Sequence, residues 1–292
     1  MLSVGRSKIA AMGPQRYVTS VNGRAGWRGI TRQASLVVAL FAITIGLWFA
    51  FIALFGPIGP VWPRIVHAGY GEGVALIILN VAAFAGIVIV TMLLRRKRLT
   101  GAIHVLGIAP FSWRAILVTL VAVCVAVAML YVLSYRPRIT SYTALLGEAF
   151  IGPFVEEVLF RGFLYRQFRR WVGLPFWLAA ALSSVPFALE HVNQGSSITL
   201  MWEILGWTFA GGIVFCWLVE RWRCIWGAWA VHAGLNFTAA AFPLGGATAA
   251  LNLTGNVQRL LVVVLVVIGT LWVTRGNKKV VADLDAEPPR ST

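Results

Sequence analysis

Residues 142–165 read YTALLGEAFIGPFVEEVLFRGFLY. Glu156, Glu157 and Arg161 stand together in a run that is otherwise long and apolar, with Glu148 near its start. A charge at the centre of a membrane helix costs about 2.5–3.5 kcal/mol on insertion scales, so charges found there serve function or one another. Glu157 and Arg161 are four apart, share a helical face and can pair, which offsets the cost of both. Glu156 is turned about 100° from Glu157 and has no partner on its own helix. A carboxylate left alone in this way suits a general base acting on water. The competing reading of the stretch is an ion-pair knot with a structural role only.

The rest of the chain fits the same setting. Of its 292 residues 59% are hydrophobic and 12% charged, with a mean hydropathy of +0.80. Soluble domains carry about twice that share of charge. Uncharged apolar runs recur at about 35–55, 74–94, 115–134, 142–165, 176–191, 198–219, 226–241 and 260–274. No run alternates polar and apolar with period two, which argues against a barrel. The expected fold is an all-α, polytopic membrane bundle of about eight transmembrane helices. The runs at 176–191 and 226–241 are at the low limit of a span and need burial among other helices. The chain divides into a basic tail at 1–33, N-terminal membrane helices at 34–140, a core at 141–242, a last span at 243–276 and a polar tail at 277–292.

The net charge is +15. With both termini in the cytoplasm and eight alternating spans, 20 of the 25 Lys and Arg fall in cytoplasmic segments. Only Arg64, Arg136, Arg138 and Arg259 fall on the other side, and Arg161 lies within a span. This bias orients the bundle with N- and C-termini inside. It also accounts for the basic charge without nucleic acid. The basic leader reads as a cytoplasmic tail, with Met12 as a second candidate start. Cys124, Cys216 and Cys224 show no metal or disulfide spacing and read as packing residues.

Few other polar groups survive inside the spans. FALEH (187–191) puts Phe187 and His191 on one face, and HAGLN (232–236) does the same for His232 and Asn236. A histidine and an amide on one face can both donate to a developing oxyanion. Glu190 precedes His191 and reads as a group facing water at the end of the span. Gly206 and Ala210 form a small-x-x-x-small packing pair. Pro153 and Pro186 bend helices near the polar cluster and free backbone carbonyls, those near Ala149 in the first case. One carboxylate, two imidazoles and one amide on neighbouring spans suffice for water-mediated hydrolysis of an amide bond.

These three motifs, Glu-Glu-x-x-x-Arg, Phe-x-x-x-His and His-x-x-x-Asn, occur in that order on successive membrane segments. The sequence thereby resembles the CPBP intramembrane proteases, which include type II CAAX prenyl endopeptidases, Abi proteins and lysostaphin-resistance-like proteins. The resemblance covers 156–236. It implies an endopeptidase without a covalent intermediate, acting on a membrane-associated protein or peptide that is prenylated or leader-bearing, in a bacterial cytoplasmic membrane. Glu156 and His191 would hold and activate water. His232 and Asn236 would polarise the scissile carbonyl, and Glu157 with Arg161 would support them. Glu156, His191 and His232 could also supply three ligands to zinc, although no His-Glu-x-x-His stretch is present. A non-catalytic immunity or scaffold protein, or a proton-coupled transporter, would keep some of the same residues for other ends.

Overall fold

The structure is a computed structural model that describes residues 23–55, 61–67, 71–109, 111–244 and 252–275. Most of the two polar tails, and parts of the Gly/Pro-rich loop 56–72, lie outside the described residues. Every regular element among those described is helical. In chain order they are α1 Gly23–Phe55, α2 Val61–Ile65, α3 Gly71–Arg95, α4 Leu99–Val105 and α5 Trp113–Val132. A single winding run follows, made of α6 Tyr142–Leu146, a π-helical turn Gly147–Ile151, α7 Gly152–Glu157 and two further π-helical stretches, Val158–Tyr165 and Phe168–Val172. It is followed by α8 Phe176–Leu189, α9 Ile198–Trp222, α10 Trp226–Ala241 and α11 Leu253–Thr274.

Among the described residues five helices are long and apolar enough to cross a membrane: α3, α5, α9, α11 and the Thr31–Ala50 part of α1. The remaining three runs are the ones that carry the polar motifs. Run 142–172 is cut into short α and π pieces, α8 has 14 residues and α10 has 16. The sequence predicts a bend at Pro153 within the run 142–165, and the structure absorbs it in locally overwide π-helical turns. Around Pro153 the reason is visible. The Gly152 amide donates to Gly147 O, five residues back, and Pro153 has no amide to give. The Glu148 carbonyl is therefore released from the helix ladder, and Asn236 Nδ2 of α10 donates to it at 3.2 Å. Trp229 Nε1 of α10 also donates to Phe150 O, 3.0 Å away.

The core centres on the same run. Every residue from Glu157 to Phe168 is buried, and Phe160, Phe163, Leu164 and Phe168 pack with Ile87, Leu106, Phe187 and Leu218 in one apolar cluster. α8 and α9 run side by side, and their close approach is set at Gly212. A methyl there would stand 2.5 Å from Ser184 Oγ and 3.2 Å from Arg161 Nη2. All three cysteines are free.

Arg166 ties the elements at the basic end. Its guanidinium donates to Val105 O at 2.9 Å, Arg223 O at 3.2 Å and His104 O at 3.3 Å. It joins the end of α4 to the turn between α9 and α10. Gly107, in the left-handed region at φ +73°, leaves room for it, since a Cβ would stand 2.8 Å from Arg166 Nη1. Replacing a buried cation that satisfies three carbonyls strands all three. Arg166→Ala is expected to lower stability by about 3 kcal/mol. Thermal unfolding in a mild detergent, beside Lys97→Ala at an exposed position as a control, measures this.

Candidate active site

The site is built on the three short runs. α7 ends on Glu156 and Glu157, α8 delivers Phe187 and leads to His191, and α10 carries His232 and Asn236. Glu157 is wholly buried and accepts two hydrogen bonds on one oxygen. Arg161 Nη1 lies 3.1 Å from Glu157 Oε1, and His232 Nδ1 lies 2.9 Å from the same atom. The helical pair that the spacing predicts is thus present. The histidine that joins it comes from a helix 75 residues away. An ionised carboxylate can only accept, so His232 Nδ1 is the donor. That fixes the ring and directs Nε2 to the other carboxylate, with Glu156 Oε2 3.8 Å away.

Aromatic rings hold the imidazoles. Phe215 of α9 stacks on His232 with centroids 5.3 Å apart, and Phe187 meets the ring of His232 edge-on at 5.7 Å. Phe187 also packs on His191 at 5.0 Å. Its other service is to Arg161, whose guanidinium carbon lies 3.9 Å from the Phe187 ring centroid. One aromatic side chain therefore touches both histidines and the buried cation. His191 Nδ1 donates to Phe187 O at 2.8 Å, and the opposite ring nitrogen remains to face a ligand. His191 itself lies just beyond α8, where a short 3-10 turn, Val192–Gln194, begins.

Asn236 lies a turn beyond His232 on α10, with one amide hydrogen already given to Glu148 O. Its second hydrogen is the one available for an oxygen of another molecule. Several buried polar atoms around these groups make no hydrogen bond to protein: Glu156 Oε2, Glu157 Oε2, Arg161 Nη2, Ser184 Oγ and Glu190 Oε2. Sequence reasoning missed Glu190. It was read as facing water, but one of its oxygens is sealed inside, where the charges of Glu156 and Arg161 act on it. Its adjacency to His191 was the available signal, and helix rotation at the end of α8 decided the matter. Phe215 was also missed, since nothing marks it out among the apolar residues of α9.

Among the described residues no three His, Cys, Asp or Glu side chains gather closely enough to hold an ion as they stand. An apolar cavity of about 620 Å³ lies beside the site between α5 and α10, lined by Leu120, Val123, Phe150, Trp229 and Phe237 among others. Its α10 wall is the face next to the one carrying His232 and Asn236.

A family model described as "Type II CAAX prenyl endopeptidase Rce1-like" matches residues 138–238, about a third of the chain. That segment holds every motif residue of the site. The match supports a likeness of this segment to the CPBP intramembrane proteases. No curated protein and no solved structure matches the chain. The match supports a CAAX-type intramembrane endopeptidase in general.

The sharing of Glu157 has a measurable cost when broken. Glu157→Gln leaves Arg161 buried without its counter-charge and is expected to destabilise the protein by about 3–5 kcal/mol. Adding Arg161→Met removes the stranded cation and should recover much of that loss. Thermal unfolding of the single and double variants measures both steps, and a double variant no more stable than Glu157→Gln would contradict the coupling.

Proposed function

We propose that this chain hydrolyses a peptide bond of a membrane-associated protein with water activated by Glu156. The observation that carries the reading is the pairing of the unpartnered Glu156 Oε2 with His232 Nε2 at 3.8 Å, while Glu157 holds the far side of the same imidazole. That gap is too long for a direct hydrogen bond and suits a reacting molecule lying against both groups. Glu156 takes a proton from water as the water oxygen bonds to the scissile carbonyl carbon. His191, with its free ring nitrogen, helps to hold that water. The carbonyl oxygen gains negative charge, which the second amide hydrogen of Asn236 and, when protonated, His232 Nε2 can stabilise. The proton on Glu156 then passes to the leaving amine as the C–N bond breaks. Glu157 and Arg161 act through His232 and are positioning residues.

The apolar cavity between α5 and α10 suits a lipidated or leader-bearing segment that remains in the bilayer while its polar part is cut. The charge bias supports an orientation with both termini in the cytoplasm.

Native membranes expressing the wild type or Glu156→Gln at equal levels provide the test. Gln keeps the size of Glu and removes the base. Protein termini present only with the wild type are expected, and their abundance should fall by at least about 10²-fold with Glu156→Gln or His191→Gln while both variants fold. Identical termini in all three samples would favour the immunity or scaffold reading.

A further inference from the structure

The two ends of the bundle differ in charge and in access to the site. At one end, the Arg166 clamp joins His104 and Val105 to Arg223, Trp226 Nε1 donates to Ile108 O at 2.7 Å, and Gln33 Nε2 donates to Val172 O at 3.2 Å. Arg95 lies over Trp171 at the same end. This end therefore gathers Arg96, Lys97 and Arg98 with Arg166, Arg169 and Arg170. At the other end, the Arg138 amide donates to Ala241 O at 2.7 Å, Asn236 bonds Glu148, and the start of α3 at Gly73 lies against Thr143 and Ala144.

Between Glu156 and the basic end the run is sealed, since Glu157 to Phe168 are buried without a break. Toward the opposite end polar groups are exposed. Glu148 is exposed two turns before Glu156, and after His191 the chain continues through exposed Asn193, Gln194, Ser196 and Ser197. Exposed polar groups of this kind belong in water and not in hydrocarbon. The exposed polar groups that precede Glu156 and follow His191 thus lie at the end that lacks the basic cluster, which the positive-inside rule assigns to the non-cytoplasmic side.

We propose that the site is entered from the non-cytoplasmic face of the membrane, and that its substrates present the scissile bond on that face, as an exported leader-bearing protein does. The substrate class rests on the endopeptidase reading above, whereas the side of entry does not. Within that reading the inference disfavours prenylated C-termini held in the cytoplasm.

The experiment labels full-length single-cysteine additions with a membrane-impermeant maleimide, read above the signal of the unsubstituted chain, whose Cys124 is exposed. Gln194→Cys and Asn193→Cys report the site end, and Lys97→Cys and Arg98→Cys report the basic end. All four positions are exposed, and two at each end guard against a variant that fails to fold. Labelling of the site-end cysteines in intact cells, with the basic-end cysteines labelled only after permeabilisation, is expected. The reverse pattern would overturn the proposal whether or not the chain cleaves anything. Where cleavage products are found, their new termini are expected in non-cytoplasmic segments, and termini mapping to cytoplasmic tails would overturn the substrate class alone.

Discussion

One carboxylate oxygen organises the interior of this protein. Glu157 Oε1 receives Arg161 from its own helix and His232 from α10, in a place with no exposure to solvent. A buried ion pair is weak evidence of stability, because desolvation offsets most of the attraction. Here its value is orientational. Arg161 holds Glu157 in place, Glu157 fixes the imidazole, and the imidazole thereby turns its second nitrogen to Glu156. Phe187 and Phe215 close the arrangement by packing on the cation and on the ring. Each group has a partner on a different helix, so the site depends on how the helices are rotated against one another.

That rotation is maintained by backbone groups that a regular helix would have used internally. The wide turn before Pro153 releases the Glu148 carbonyl, and α10 answers with Asn236. Two turns earlier on α10, Trp229 bonds a second carbonyl of the same run, that of Phe150. In hydrocarbon a freed carbonyl must find a partner, so an irregular helix is a means of joining two helices as well as a defect in one. Membrane helices gain little from hydrophobic attraction to each other, which gives such polar joints more weight in fixing rotation.

Much of this was legible in the sequence. Hydropathy marks the helices, because a span must be apolar along its whole length. The four-residue spacing of Glu157 and Arg161 gives their pairing directly, and the order of the three motifs carries the resemblance that the family model also finds. What was not legible is cross-helix geometry. That His232 would reach Glu157 depends on the depth and rotation of α10, which no local spacing encodes. The π-helical turns were hidden for a similar reason, since Pro153 signals a disturbance but not how the chain absorbs it. Glu190 was misread because a residue one position past a helix end can turn inward or outward at little cost in backbone energy.

The three runs that carry the motifs include the shortest helices of the bundle, and this bears on the bilayer itself. At 1.5 Å per residue, the 14 residues of α8 and the 16 of α10 span roughly 21 and 24 Å, against a hydrocarbon thickness of about 30 Å. Lipids beside this flank must compress or tilt to meet the polar loop that follows His191, at a cost of a fraction of a kcal/mol per Å. In a bilayer of that thickness such a flank would be met by a thinner patch of membrane. A polypeptide in the adjoining bilayer would lose hydrophobic cover as it neared the flank, so its backbone would meet water and Glu156 in the same step.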